Sequence, residues 1–310
     1  MKSKIWIALI TLYIVWGSTY FGIKVAIETI PPFFHAGIRF LVSGLIILAW
    51  QKAAKQEMPT RKQWVSTAII GTLLLLGGNG LVSWAEQFIP SGIAALIIAT
   101  VPLWLVIMEA LRPGGIKPTW QAIVGLLVGF VGIFILAGPA EISGSQSNLN
   151  SFGVAALLAA TVLWAFGSIY SKTADLPKAS MVTTGAEMLM GSIGLFAVSL
   201  LTGELNGWDP AGISNRSILG VLYLIFIGSI VGFGSYIWLL QNAPISLVAT
   251  YAYVNPIVAV ILGYLLGNEA LEPRTWIAAA IIIGAVIFIN SRNKPQVRKE
   301  AKEVHVESDQ

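Results

Sequence analysis

Two charged side chains, Arg39 and Glu187, lie inside long apolar stretches of the sequence. A charge that faces lipid costs several kcal/mol, so both side chains are expected to face protein or water. Residues in such positions bind substrates, carry protons or form structural ion pairs. Glu187 is the better candidate for a proton-binding site, because burial favours the uncharged form of a carboxyl group. The alternative for both residues is a charge near a helix end that reaches the membrane interface.

Two lysines, Lys24 and Lys172, lie where apolar stretches end. A lysine at a helix end extends its ammonium group into water while its methylene chain stays on apolar surface. Interfacial anchoring is therefore one interpretation, and a gating role beside the neighbouring Trp-containing motifs is the other. Glu86 also lies at the end of an apolar stretch, and its sequence position predicts a side chain solvated at the interface.

Aromatic and amide side chains recur within the apolar stretches. Trp and Tyr usually anchor a helix at the membrane interface, but Trp16 and Trp164 lie well inside their stretches. They are candidates either for stacking against a solute or for filling core volume. For Asn79 and Asn255, a helix–helix hydrogen bond is the alternative to a substrate contact. The candidates for lining a substrate cavity are Trp16, Ser18, Tyr20, Asn79, Trp164, Tyr236, Tyr251 and Asn255.

Two prolines, Pro102 and Pro256, lie in the middle of apolar stretches. A proline inside a helix removes one backbone hydrogen bond and kinks the helix. A broken membrane helix exposes backbone carbonyl groups to a cavity. Both prolines are therefore hinge candidates, and a static kink that aids packing is the alternative.

The composition of the 310-residue chain restricts what these residues can do. Hydrophobic residues make up 56% and charged residues 11%, and the mean hydropathy is +0.78. Soluble domains carry roughly a quarter charged residues, so an integral membrane protein is predicted. The sequence has no Cys, and its only His residues are His35 and His305, so neither a metal site nor a cofactor is expected. The basic residues lie in short loops rather than in a stripe with aromatics, which argues against nucleic-acid binding.

The apolar stretches predict an all-α fold with ten membrane-spanning helices, because only helices and closed barrels satisfy their backbone in lipid. The predicted spans are Ile5–Ala26, Phe33–Trp50, Trp64–Trp84, Gly92–Leu111, Trp120–Leu136, Phe152–Tyr170, Met181–Leu201, Ile218–Leu240, Leu247–Leu266 and Trp276–Asn290.

Lys and Arg residues are concentrated in alternate loops. If the N-terminus is cytoplasmic, the outer loops contain only Arg216 and Arg274, whereas most of the inner segments contain two or more basic residues. Basic residues accumulate in cytoplasmic loops of membrane proteins. The bias predicts a multi-pass protein of the plasma membrane with both termini in the cytoplasm.

The second half of the chain repeats the first. Trp16 and Lys24 have the same spacing as Trp164 and Lys172, and Arg39 matches Glu187. Further matches join Gly78, Gly80, Trp84, Pro90 and Pro102 to Gly232, Gly234, Trp238, Pro244 and Pro256. Five spans in each half reverse the orientation of the second copy, so two inverted repeats are predicted. Their predicted boundaries are 1–140 and 152–291, and a charged cytoplasmic tail occupies 292–310.

Gly-x-x-x-Gly motifs begin at Gly125, Gly228 and Gly263. Small residues at this spacing let helix backbones approach closely in lipid. Packing within the chain is the favoured interpretation, and a homodimer face is the alternative.

Short motifs in both halves resemble the drug/metabolite transporter superfamily, specifically its EamA branch. The motifs are 13-YIVWGSTY-20, 37-GIRF-40, 90-PSGIAA-95 and 99-ATVP-102 in the first half, and 164-WAFGS-168 and 251-YAYVNP-256 in the second. The resemblance implies ten helices in two EamA repeats around a central cavity, and export of small metabolites, amino acids or toxic compounds.

A secondary transporter in the lipid bilayer, with a small-molecule substrate, is therefore the leading interpretation. The sequence has no Gly-x-x-x-x-Gly-Lys-Ser/Thr phosphate loop, which leaves facilitated diffusion or ion-coupled exchange, with protons as one candidate ion. A channel-like facilitator is the nearest alternative. A membrane-embedded enzyme is weaker because converging nucleophile, base and metal groups are lacking, and a receptor or scaffold is weaker because no extramembrane domain is predicted.

Overall fold

The computed structural model describes residues 2–111, 120–137, 150–243, 251–269 and 273–290, and these are almost entirely helical. No β-strand occurs among them, in agreement with the predicted all-α class. In chain order the α-helices are α1 (Lys2–Ala26), α2 (Pro32–Ala53), α3 (Arg61–Gly71), α4 (Leu81–Ala85), α5 (Ser91–Ile98), α6 (Val101–Leu111), α7 (Trp120–Ala137), α8 (Ser151–Ser171), α9 (Ser180–Leu201), α10 (Asn215–Tyr223), α11 (Gly232–Asn242), α12 (Tyr251–Gly267) and α13 (Pro273–Asn290).

Six helical segments are long and apolar enough to cross a membrane: Ser3–Ala26, Pro32–Ala53, Arg61–Ala85, Ser151–Ser171, Ser180–Leu201 and Asn215–Tyr236. Shorter apolar helices occupy Ser91–Leu105, Ile123–Gly132, Val254–Gly267 and Pro273–Ala285. Large apolar side chains cover the surface, including Leu111 and Leu201, which are 78% and 86% exposed. A surface this apolar is suited to lipid, and the chain is a multi-pass membrane protein. The start of the predicted span Leu247–Leu266 and the tail 292–310 lie outside the described residues.

Two long spans change from α-helix to π-helix partway along their length. Segment π1 (Thr72–Gly80) lies between α3 and α4, and segment π2 (Leu224–Val231) lies between α10 and α11. A π-helix widens the turn to an i→i+5 hydrogen bond and occurs often at functional sites. Hydropathy alone indicated unbroken helices at both places.

The two matched prolines have different effects on their helices. Helix α5 ends at Ile98, and Pro102 is the second residue of α6. Backbone N–H groups in the first turn of a helix have no intrahelical acceptor, so the missing N–H of a proline costs nothing there. Pro256 lies inside α12, which continues through it. The predicted single span Gly92–Leu111 is therefore interrupted at Ala99 and Thr100.

Helices from the two halves pack against each other. Helix α2 lies along α9 and α7 lies along α13, while α1 contacts α11 and α12, and α8 contacts π1, α5 and α6. Glycines permit the close approach of α2 and α9. A Cβ atom at Gly37 would lie 2.8 Å from the Phe196 ring, and one at Gly185 would lie 2.9 Å from Leu48 Cγ.

Glycines of the Gly-x-x-x-Gly motifs pack within the chain. A Cβ atom at Gly129 would lie 2.5 Å from Leu103 Cδ1, and one at Gly263 would lie 3.1 Å from Ser91 Oγ. These contacts agree with the favoured interpretation of the motifs.

Candidate functional site

Trp16 stands at the centre of an aromatic cluster formed by α1, α11 and α12. Its ring centroid lies 5.2 Å from Phe233, 5.1 Å from Tyr236 and 5.1 Å from Tyr251. The Tyr236 and Tyr251 rings meet edge to face at 6.0 Å. Edge-on aromatic contacts of this kind fix ring orientation and present π-faces beside them. The structure therefore brings together three of the cavity candidates, from both halves of the chain.

Polar groups lie beside the aromatic cluster. The Asn255 amide nitrogen, in the orientation that suits its neighbours, donates to the Tyr251 carbonyl at 3.1 Å and to the Tyr13 carbonyl at 3.2 Å. Asn255 therefore ties α12 to α1, which is the helix–helix alternative for this residue. Ser18 Oγ lies 2.5 Å from the hydroxyl of Tyr223, a residue that the sequence did not single out.

Two further cavity candidates lie at π1, which includes Asn79 and packs against Trp164. A Cβ atom at Gly78 would lie 2.6 Å from Trp164 Cε3. The Asn79 amide donates to the Leu74 carbonyl of its own helix at 3.4 Å. No ring contact joins Trp16 to Trp164 among the described residues, so the candidates form two groups rather than one.

Arg39 of α2 is buried against π2, where its guanidinium group contacts a hydroxyl group and an aromatic ring. Its Nε atom donates to Ser229 Oγ at 3.0 Å, and its guanidinium carbon lies 4.8 Å from the centre of the Phe40 ring. Cation–π contact and a charge-assisted hydrogen bond both lower the free-energy cost of burying a charge. Ser229 was not identified from the sequence, because an isolated serine in an apolar stretch carries no pattern.

Glu187 lies on α9, beside the first half of the chain. Its backbone carbonyl packs directly against Gly71 of α3, and its side chain is partly exposed. Within the described ranges, no ion pair joins Glu187 to Arg39. A structural ion pair between Glu187 and Arg39, one of the alternatives for these residues, is therefore not supported by a direct contact. Lys172 follows α8 immediately, as its sequence position indicated.

A second polar group occupies the end of the bundle where α1 and α4 finish, here called the Lys24 end. The Lys24 ammonium donates to the backbone carbonyl of Glu86 at 2.7 Å. The Glu86 side chain is completely buried rather than solvated. The expectation of an interfacial Glu86 was wrong, because the turn after α4 folds into the bundle instead of projecting into solvent. Tyr20, one turn before Lys24 on α1, packs against the hydrophobic core that includes Ala85 and Ile89, on either side of Glu86.

Two further carboxylates at the Lys24 end cap helix N-termini of other spans. Glu204 accepts hydrogen bonds from the backbone N–H groups of Phe33 and Phe34, at 3.3 and 2.7 Å. Glu269 accepts from Ser91 and Gly92, at 2.7 and 3.2 Å. A negative charge at a helix N-terminus satisfies unpaired N–H groups and complements the helix dipole. These contacts fasten α9 to α2 and α12 to α5.

The candidate site is built from aromatic and amide side chains where α1 meets α11 and α12. Among the described residues, no three His, Asp or Glu side chains cluster as metal ligands.

Comparison with known proteins places these features in a family. The EamA-like transporter family matches residues 3–138 and 151–291. The inner membrane transporter YedA of Escherichia coli K12 is 40% identical over 283 residues, covering 91% of this chain and 89% of YedA. The WAT1-related protein At3g02690 of Arabidopsis thaliana is 25% identical over 289 residues, covering 92% of this chain and 69% of that protein. One crystal structure shares the fold with a TM-score of 0.63 at 21% identity, covering 91% of this chain and 96% of the other. The resemblance drawn from the short motifs is confirmed, and the chain belongs to the EamA-like transporter family.

Proposed function

We propose that this chain is a secondary transporter that exports small metabolites, amino acids or toxic compounds across the plasma membrane. Two inverted five-helix repeats, 1–140 and 152–291, would rock against each other to give alternating access. Both termini would be cytoplasmic. YedA, at 40% identity, is named as a transporter, and a carrier function is proposed here in preference to an enzymatic one.

Reciprocal contacts between the halves are the observation that carries this proposal. Gly78 packs on Trp164, and its repeat partner Gly232 packs on Trp16, the repeat partner of Trp164. Exchanging the two halves therefore converts one contact into the other. The pairing of α1 with α11 likewise matches that of α8 with α4, and the pairing of α1 with π2 matches that of α8 with π1. A half-turn about an axis in the membrane plane would produce this reciprocity.

The solute would bind between the repeats, at the aromatic cluster around Trp16. This cluster joins α1 of the first half to α11 and α12 of the second, so relative motion of the halves would reshape it. Pro102 and Pro256 would serve as hinges, since both lie in spans that contact the opposite half. In the proposed inverted arrangement, Lys24 and Lys172 lie on opposite sides of the membrane, and each would take part in opening and closing the solute pathway on its own side.

Flux in proteoliposomes tests the proposal. Purified protein would be given a panel of labelled amino acids and other small metabolites, with and without a pH gradient. A carrier gives saturable uptake that unlabelled solute on the opposite side accelerates, whereas a channel gives neither behaviour. Absence of flux for the whole panel, in protein that is folded, would contradict the proposal.

A matched pair of tryptophan variants on α1 tests the location of the site. Trp16→Ala removes the centre of the aromatic cluster and should raise the KM for a transported solute about tenfold, equivalent to about 1.4 kcal/mol. Trp6 lies on the same helix but is 54% exposed and faces lipid, so Trp6→Ala should transport normally. Equal loss in both variants would indicate a folding defect of α1 rather than a binding site at Trp16.

A further inference from the structure

The Glu86 carboxyl group is buried and has no hydrogen-bond partner in the part of the chain that the structure describes. The residue is 0% exposed, and neither carboxylate oxygen has a donor within reach. The Ser91 hydroxyl, at the start of α5, is also buried without a partner. Buried polar groups are nearly always hydrogen-bonded in native proteins, so an exception needs a physical explanation.

None of the charged and titratable neighbours of Glu86 that the structure describes forms a hydrogen bond with its carboxyl group. Lys24 of α1 donates to the Glu86 backbone carbonyl, and no ion pair joins it to the carboxylate among the described residues. Tyr20 of α1 and Glu269, which follows α12, are both close enough to Glu86 to interact with it electrostatically. The Glu269 carboxylate is occupied by the N–H groups of Ser91 and Gly92. The remaining neighbour of this turn is α8, whose Gly153 packs against Ile89 in the turn after α4.

An ionised carboxylate in this position would lose its hydration and gain no donors. That loss costs several kcal/mol or more, whereas the protonated form is far cheaper to bury. Glu204 and Glu269, at the same end of the bundle, differ from Glu86 because each accepts hydrogen bonds from two backbone N–H groups. The burial of Glu86 therefore favours an uncharged carboxyl group over a carboxylate.

We propose that Glu86 is a proton-binding site, occupied while the Lys24 end of the bundle is closed and exchanging its proton with the outer solution when that end opens. The assignment of this end to the outer side, and the meaning of the site for transport, rest on the proposed function.

Lys24 explains how the proton leaves. When the helices move apart at the Lys24 end, water reaches Glu86, and the proton passes from the carboxyl group to that water. The carboxylate left behind then has an ammonium group close by, already anchored on its own backbone carbonyl at 2.7 Å. An ion pair with Lys24 would stabilise the open arrangement, and proton binding would stabilise the closed one. Acid on the outer side should therefore favour closure at this end, which links proton binding to the conformational change.

Infrared spectroscopy tests the site without any knowledge of the substrate. Purified wild-type protein in lipid should show the carbonyl stretching band of a protonated carboxylic acid at neutral pH. Glu86→Gln should lose intensity from this band. The matched control Glu204→Gln, in which the removed carboxylate caps α2, should leave the band unchanged. Full band intensity in folded Glu86→Gln protein would overturn the proposal.

Two measurements cover the case in which Glu86→Gln does not fold. Lys24→Met removes the cation that favours the carboxylate, and the band should then persist to a pH about 1 unit higher. Dicyclohexylcarbodiimide, which attacks protonated carboxyl groups in apolar surroundings, should modify Glu86 of the wild-type protein at neutral pH, as detected by mass spectrometry of the peptide. An unchanged pH dependence in Lys24→Met, or an unmodified Glu86, would count against the site.

The spectroscopic outcome is independent of the transport assay. If the band is lost in Glu86→Gln but wild-type protein moves no solute, the proton site stands and the proposed function fails. If flux is present but Glu86 contributes nothing to the band, the transporter proposal stands and this inference fails.

Discussion

Trp16 and Gly232 are in such close contact that a Cβ atom at Gly232 would lie 2.5 Å from Trp16 Nε1. The contact joins α1 of the first half to the residue where π2 gives way to α11 in the second. Trp16 also carries the aromatic cluster, with Phe233 directly after Gly232. The absence of a side chain at Gly232 therefore sets the position of the indole ring at the candidate site.

A methyl group at Gly232 should disturb this position. Gly232→Ala would force the Trp16 ring to move, and overpacking of this kind costs about 1–3 kcal/mol. Thermal unfolding in detergent or lipid should detect the lower stability, with a raised KM in the flux assay. A Cβ atom added at Gly234, on the same helix, would meet no neighbouring atom within 4 Å, so Gly234→Ala is the matched control and should be neutral. Equal stability of the two variants would contradict the packing argument.

Ser229 should be worth more to the fold than a typical buried serine. Ser229→Ala removes the side-chain acceptor of the Arg39 Nε group, which is buried. Hydrogen bonds to charged groups contribute about 1.5–3 kcal/mol, so a loss of this size is expected. Ser199 is equally buried, but its hydroxyl has no partner. Ser199→Ala should therefore be neutral or stabilising in the same unfolding measurement, and a larger loss there than at Ser229 would refute the assigned role.

Membrane topology can be read from single cysteines, because the chain contains none. A cysteine at Ser145 should react with a membrane-impermeant maleimide in intact cells, since the connecting loop is predicted to be outside. A cysteine at Gln56 should react only after permeabilisation. The physical reason is the concentration of Lys and Arg in the loops assigned to the cytoplasm. The reverse pattern at either position would refute the orientation.

Sequence patterns predicted the six long apolar helices but not their internal geometry. Hydropathy is insensitive to whether a turn closes on i+4 or i+5, so π1 and π2 were read as α-helix. Pro102 did predict a disturbance, but the break falls before it, at Ala99 and Thr100, where a proline can begin a new helix. The matched positions of the two repeats therefore identified the residues at which the helices are disturbed, but they did not predict whether the backbone forms a π-helix or a break between two helices.

The candidate site was predicted in part, for a similar reason. Trp16 was singled out because it recurs as Trp164 inside an apolar stretch, and Tyr236 and Tyr251 were singled out as aromatic residues of the second half. The contact between their rings depends on the tertiary fold. Glu86 was missed because a carboxylate at a helix end is usually solvated. Only the tertiary fold buries it, by turning the residues after α4 against α1 and α5. Ser229 was missed because its role depends on Arg39, which lies far away in the sequence.

Glu187 is the candidate for coupling on the other side of the bundle. In the proposed topology it lies toward the cytoplasmic end of α9, and its side chain is partly exposed at the surface of the helix bundle. A coupling carboxyl must change its protonation between the two states of the carrier. A residue that water reaches from one side only, in one of those states, meets this requirement.

Replacement by glutamine tests this role, because Glu187→Gln keeps the shape of the side chain and removes its proton exchange. The variant should lose accumulation driven by a pH gradient and keep counterflow exchange in proteoliposomes. Glu57, exposed in the loop after α2, provides the control variant Glu57→Gln, which should retain both activities. If Glu187 only braces the packing of α9 on α3, its replacement should lower the unfolding temperature or abolish both transport modes together. Proton-driven accumulation at the wild-type rate in a folded Glu187→Gln protein would eliminate the coupling role.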